Sequence, residues 1–375
     1  MFRVPDGEAA AGPARGMSYT EVESSPDTYK LAPGQYEVKS AEFELPDPAR
    51  GKVLPLKAYA PTSGGPFPLI IFSHGAGGNR NVAPGLARHW ASYGYVVIAP
   101  SHADSVQLRK EGRAGKQMDD VLKSFGTDPQ VRIGRVADIN LILDQLAELP
   151  ALAPLLTGKI DASRIGLGGH SAGAMTASLI GGATVDMRGG AGVTPVTDGS
   201  PVTDGTSAPP NTSDFRDERI AALLLLSGQG MTGPGGGFHA HSWDNLRLPT
   251  MVQTGSYDNS PRTRQTSASR RHPYEYAPPG DKYLVYIDGA LHMSFTGRAS
   301  GEEPGLAARW LEQYLGTPGL EAALAYDQRA IFAYVKLTTL AFWDAYLKDD
   351  AGAKDWLVSD KLATLSQDQV EYLRK

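Results

Sequence analysis

The chain has no cysteine. That excludes disulfide cross-links, thiolate-ligated metals and a thiol nucleophile. It also lacks any apolar run near the roughly 20 residues that cross a bilayer, so no integral membrane segment is expected. Residues 1–16 carry no apolar h-region, so no signal peptide is expected in the chain as given. Compartment stays open between cytoplasmic and exported with a leader removed. There is no basic excess either. Lys and Arg number 36 against 41 Asp and Glu, a formal net charge of −5, and this leaves no electrostatic footprint for nucleic acid.

What the chain has in quantity is turn chemistry, with 43 Gly and 27 Pro, set between apolar segments. Residues 36–38, 41–45 and 53–59 alternate in the manner of strands, and the Pro- and Gly-containing segment 46–51 separates them. They predict an antiparallel pair at a sheet edge, where Pro55 is tolerated. Residues 68–73 and 95–99 are continuously apolar, as strands covered on both faces are. Helices are predicted over 82–93 and 132–149, the second with Ile133, Val136, Ile139, Ile142, Leu143 and Leu146 at helical spacing. Residues 101–130 form a polar surface excursion. Strands at 165–167, 220–226, 249–254 and 283–287 follow, the last of these closing the sheet, and helices at about 304–315 and 326–347 end the pattern. Such alternation predicts an α/β fold with right-handed crossovers and a mainly parallel central sheet. The expected organisation is an irregular N-terminal arm (1–30), a catalytic domain (31–350) interrupted by a flexible insertion (181–214), and a C-terminal tail (351–375). The insertion holds Pro-Val-Thr-Asp-Gly at 195–199 and again at 201–205, too few copies for a repeat architecture.

Chemistry concentrates at Gly169–His170–Ser171–Ala172–Gly173. Strand, G-x-S-x-G and helix in succession are the context of a nucleophile elbow. The serine sits on a sharp turn whose neighbours pass close together, and the flanking glycines leave room. A Gly-rich turn whose serine merely caps a helix is the alternative. A serine hydroxyl needs a base, and the base needs an orienting group. In a sheet carrying this elbow the chain order is nucleophile, acid, then histidine, which leaves His239, His241, His272 and His292 of eight histidines. His292 follows the predicted strand 283–287 in a loop on the rim the elbow occupies. His239 and His241 form a lone H-x-H in a Gly-rich loop, too little to predict a metal site.

Asp258 follows the strand 249–254 and is the candidate acid. It could instead nucleate an Asx turn, and Asp288 is the rival. Oxyanion donors are expected from the amide of Ala172, at the helix start, and from the loop His74–Gly75–Ala76–Gly77–Gly78, where Ala76 N–H is the candidate. Neither Gly-rich turn follows the nucleotide-phosphate patterns G-x-x-x-x-G-K-[ST] or G-x-G-x-x-G.

The elbow and the 74–78 loop, with Gly255–Ser256–Tyr257–Asp258 and Gly289–Ala290–Leu291–His292 completing the set, resemble an α/β-hydrolase. The resemblance covers about 36–347. It is greatest to the branch of platelet-activating-factor acetylhydrolase-like esterases, chlorophyllases and polyester-degrading cutinases. It implies carboxylic-ester hydrolysis through an acyl-enzyme, with Ser171, His292 and Asp258 as catalytic residues, Ala76 and Ala172 as oxyanion donors, and no cofactor or metal. Dienelactone hydrolases resemble the chain less, because they use a cysteine nucleophile. The cysteine pair common in polyester-degrading cutinases is absent. The expected partner is a small-molecule or polymeric ester, with short-to-medium acyl, lipid-like and aromatic esters all open. Phe238, Trp243, Met293 and Phe295 are candidates to line the pocket. Acyl transfer on the same triad, or a non-catalytic binding protein on this fold, are the competing functions. Oligomeric state is not legible.

Overall fold

Nine strands form one sheet in the order β1-β2-β4-β3-β5-β6-β7-β8-β9. They are β1 (Val38–Asp47), β2 (Lys52–Pro61), β3 (Phe67–Ser73), β4 (Val96–Pro100), β5 (Ile160–His170), β6 (Ile220–Leu226), β7 (Thr250–Tyr257), β8 (Lys282–Leu291) and β9 (Val370–Arg374). The computed structural model describes residues 16–111, 118–185, 214–231, 237–301 and 308–375. Strands β3 to β8 run parallel to one another, while β1, β2 and β9 are antiparallel additions at the two ends. This is the predicted α/β architecture with its antiparallel N-terminal edge.

The apolar runs explain the layering. In β3, Leu69 and Ile71 belong to one core and Ile70 and Phe72 to the other. In β6, Leu223 and Leu225 alternate with Leu224 and Leu226 in the same way. A strand with helices on both faces has no solvent side, so every position is apolar. Helices Pro129–Asp144 and Ala172–Ile180 cover one face, and Pro84–Ser92 and Gln328–Leu347 cover the other. On the second face Trp90 and Trp343 meet edge to face at 6.1 Å, and the Trp90 indole N–H donates to Thr339 Oγ1 at 3.1 Å. Burial of such side chains is worth about 1.5–3 kcal/mol each.

Several boundaries differ from expectation. The segment 351–375 is not a tail: it forms helices Ala351–Val358 and Lys361–Ser366 and then β9, which pairs with β8. The sheet therefore does not close at β8. The N-terminal segment, where described, is docked. Helix Tyr19–Ser24 starts in a Ser18/Glu21 capping box, and Tyr29 and Lys30 reach the buried Asp344 at 2.8 and 2.7 Å. Pro55 lies on β2, which has a partner on each side, and not on the edge. Its carbonyl accepts from Ser101 N–H at 2.8 Å. The missing proline N–H thus faces the end of β4, where no ladder bond is lost. The excursion 101–130 carries helices Val106–Lys110 and Met118–Thr127. Residues 1–15 of the predicted arm, 112–117 of the excursion, 186–213 of the predicted insertion and 304–307 of the predicted helix lie outside the described residues.

Candidate active site

The register of the sheet assembles the site. Ser73 is opposite Gly169 in the β3/β5 pair, which sets the loop 74–78 beside the elbow. His170 is opposite Leu226 in the β5/β6 pair, and Tyr257 is opposite Leu291 in the β7/β8 pair. Parallel strands end on one rim, so Ser171, Ser227, Asp258 and His292, each the residue after a strand end, are gathered there.

Ser171 holds φ +54° and ψ −119°, a conformation that costs a non-glycine residue on the order of 1–3 kcal/mol. Its amide donates to Leu226 O at 2.9 Å. Although it precedes helix Ala172–Ile180, its side chain makes no capping hydrogen bond, so the helix-cap alternative has no support. The glycines are required sterically. A Cβ on Gly169 would collide with the Gly173 backbone, and a Cβ on Gly173 with the Ser73 carbonyl.

His292 Nδ1 lies 2.8 Å from Asp258 Oδ1. An ionised carboxylate only accepts, so Nδ1 carries the proton and Nε2 is left as the acceptor. Ser227 completes the arrangement: its hydroxyl donates to Asp258 Oδ2 at 2.6 Å, and its oxygen is 2.5 Å from His292 Nδ1. Thr254 Oγ1 also donates to Asp258 Oδ2, at 2.9 Å. Buried Arg270 lies behind the acid, with Nε 2.9 Å from Asp258 Oδ1. Its remaining nitrogens donate to Ser227 O, Gly228 O and Ser260 Oγ at 2.7–3.0 Å. Burial alone would raise the Asp258 pKa. The Arg270 guanidinium, with His292 and the hydrogen bonds from His292 and Ser227, holds it well below the usual carboxylate range. Asp258 is thus no mere turn former, and Asp288 serves its own corner, accepting from Ser256 Oγ and Tyr326 OH at 2.7 and 2.6 Å.

Two further groups fix the histidine's backbone. His170 Nε2 is 2.9 Å from His292 O, and burial drives its pKa well down, so it acts as a neutral donor. Glu312 is fully buried and accepts from Met293 N–H at 2.8 Å and Thr317 Oγ1 at 2.6 Å. Burial pushes its carboxyl pKa up.

Ser171, His292, Ala76 and Ala172 all line one cavity of about 830 Å³. No hydrogen bond joins Ser171 Oγ to His292 among the described contacts, a looseness common before substrate binds. The excursion helices supply one wall through Val106, Met118 and Leu122, with Leu311 and Leu315 from a second side. Lys110, Arg132, Arg262, Arg264, Arg270 and Arg298 also line it, and no carboxylate does among the described residues. Of the four apolar residues expected in the pocket, Met293 lines the cavity. The other three are a correction. Phe238 and Trp243 stack on each other at 4.9 Å within the core, and Phe295 is fully buried in the core on the opposite face. Gln229 is an unanticipated neighbour. Its amide, in the orientation that satisfies both ends, donates to Ser171 O at 3.0 Å and accepts from Ala172 N–H at 3.2 Å. His241 is exposed and pairs with Asp244, and no cluster of three metal-ligating side chains occurs among the described residues.

Ser227, Gln229, Arg270 and Glu312 escaped sequence reasoning. Ser227 and Gln229 could have been suspected from position, since they follow β6 on the elbow's rim. Arg270 and Glu312 carry no local signal.

A mainly parallel sheet flanked by helices, with a strained serine turn between β5 and its helix, is the architecture of the α/β-hydrolase fold. The chain's residues 53–123 match the family model described as platelet-activating factor acetylhydrolase, isoform II. That segment contains the 74–78 loop but none of Ser171, Asp258 and His292. A Schizosaccharomyces pombe (strain 972 / ATCC 24843) protein named "Putative phospholipase A2" is 47% identical over 47 residues, which is 12% of this chain and 11% of that protein. Both matches are partial, so the likeness to the platelet-activating-factor acetylhydrolase model extends over residues 53–123 and to the fission-yeast protein over 47 residues.

Proposed function

We propose that the protein is a serine-dependent carboxylic-ester hydrolase. The observation that carries this is the Asp258–His292 pair at 2.8 Å, with His292 and the strained Ser171 opening onto one cavity. Ser171 Oγ attacks the ester carbonyl carbon while His292 Nε2 takes its proton. The tetrahedral oxyanion is held by Ala76 and Ala172 N–H. Collapse breaks the ester C–O bond, and His292 returns the proton to the leaving alcohol. Water then attacks the acyl-enzyme with His292 again as base, releasing the acid and restoring Ser171. Because the Gln229 amide rests on Ala172 N–H, the substrate oxygen displaces it on binding.

The mixed apolar and cationic lining, the acetylhydrolase family match and the phospholipase name of the relative support lipid-like esters of short to medium acyl chain as the substrate class. The test is turnover of p-nitrophenyl butyrate. The wild type is expected to hydrolyse it and Ser171→Ala to lose at least about 10³-fold in kcat. Equal rates in the two would end the proposal.

A further inference from the structure

Beneath the loop 74–78 lies a buried polar cluster that the proposed chemistry does not use. Ser73 Oγ is 2.8 Å from His102 Nε2, and His102 Nδ1 is 2.9 Å from Asp138 Oδ2. This repeats the connectivity of a hydroxyl–imidazole–carboxylate triad, but Ser73 and His102 have no exposed surface at all. No substrate reaches them, so the second triad is a support. Asp138 is anchored from outside by Arg50 and Lys52 at 2.8 and 2.6 Å.

The cluster grips the loop directly. Arg135 Nη1 donates to His74 O at 2.7 Å and Nη2 to Gly75 O at 3.2 Å. The same guanidinium binds Asp104 through Nε and Nη2 at 3.0 and 2.8 Å. Asp104 Oδ2 in turn accepts Gly77 N–H at 3.0 Å. His102 N–H donates to His74 Nε2 at 3.0 Å, and Gly78 N–H to Gly75 O at 3.0 Å. Residues 74, 75, 77 and 78 are each tied down. Between them, Ala76 N–H has no hydrogen-bond partner among the described residues. A loop this firmly held with one amide left over is how a preorganised donor is built, because it stabilises developing charge without reorganising during the reaction. Burying a guanidinium and two carboxylates to shape five loop residues is otherwise expensive.

We propose that Arg135, which also donates from Nη1 to Ser73 Oγ at 3.4 Å, and Asp104 are positioning residues that aim Ala76 N–H at the oxyanion formed on attack by Ser171. The inference rests on the ester-hydrolase reading. It is tested with p-nitrophenyl butyrate and the matching thionoester, whose C=S sulfur is poorly served by N–H donors. The ratio of oxoester to thionoester rates therefore reports on the donors themselves. Wild type, Arg135→Lys and Asp104→Asn are compared. Lysine keeps the charge but cannot make the fork of contacts, and asparagine keeps the shape. Each variant is expected to lose about 10–100-fold in kcat, somewhat less than deletion of a donor. KM should stay within about threefold and the oxoester-to-thionoester ratio should fall about tenfold. A folded variant with wild-type kcat overturns the inference, as does a loss of kcat with the ratio unchanged. Failure of both variants to fold assigns the cluster to stability and overturns it equally. A wild type that turns over neither ester rejects the ester-hydrolase reading itself, and the inference with it.

Discussion

Arg270 supports the candidate acid from behind while also lining the cavity. It is buried against an equally buried Asp258 and uses its remaining nitrogens on Ser227 O, Gly228 O and Ser260 Oγ. Removing one partner of such a pair leaves an uncompensated buried charge, so Arg270→Met is expected to lose about 3–5 kcal/mol of unfolding free energy in a urea titration. Arg264, exposed in the same loop, is the control, and Arg264→Met should stay within about 0.5 kcal/mol. Similar losses for the two would show that the ion pair contributes nothing particular. That Ser171, Asp258 and His292 come together on one rim was legible because each follows a recognisable strand, and their proposed roles rest on that placement. Arg270 was not legible, because an ion pair between residues distant in sequence leaves no periodicity, and Ser227 offered only its position after β6. Phe238, Trp243 and Phe295 misled for a related reason: proximity to a rim in sequence does not say which way an aromatic ring turns, and apolar rings favour the core.

At the scale of elements, the site is a consequence of strand register, and the turn from β5 into helix Ala172–Ile180 leaves no room for a side chain at Gly169 or Gly173. Gly173 packs against the Ser73 carbonyl so closely that no Cβ fits. Gly173→Ala should therefore force the helix away from β3, costing about 1–3 kcal/mol and most of the activity. Gly134 offers the contrast. It lies within helix Pro129–Asp144, and a methyl group there would meet nothing within 4 Å among the described residues. Gly134→Ala should therefore raise stability by about 0.5–1 kcal/mol. Thermal unfolding of the two variants reads both signs, and destabilisation by Gly134→Ala or tolerance of Gly173→Ala would contradict the packing described. The buried strands β3, β4 and β6 were legible as unbroken apolar runs, since burial on two faces removes any reason for polar residues. β9 was missed because it is a short edge strand, Val370–Arg374, of which Val370 alone is buried and two of five residues are charged. Helix Met118–Thr127, whose Met118 and Leu122 line the cavity, was hidden within a polar stretch.

For the molecule as a whole, burial of imidazoles makes stability fall in acid. Burial, then the Lys336 charge, pushes His89 down to about 3, and its Nε2 has no hydrogen-bond partner among the described residues. Burial also lowers His74, His102 and His170. The unfolded chain takes up these protons near pH 6.5, and the folded chain does so only at lower pH. The unfolded state thus binds more protons in this window, and stability decreases as pH falls below 6.5. His89→Gln removes one such group. At pH 5.5 it should lose about 1.4 kcal/mol less than wild type, relative to pH 7.5, in urea titrations; parallel pH dependences would contradict the linkage. The central claim, that the fold exists to hold one activated serine, is tested most directly by covalent labelling. An alkyl fluorophosphonate incubated with the native protein, followed by peptide mass analysis, should give one phosphonyl adduct per chain on the peptide bearing Ser171, and none in Ser171→Ala. No adduct on the native protein, or one located at another serine, would contradict the account.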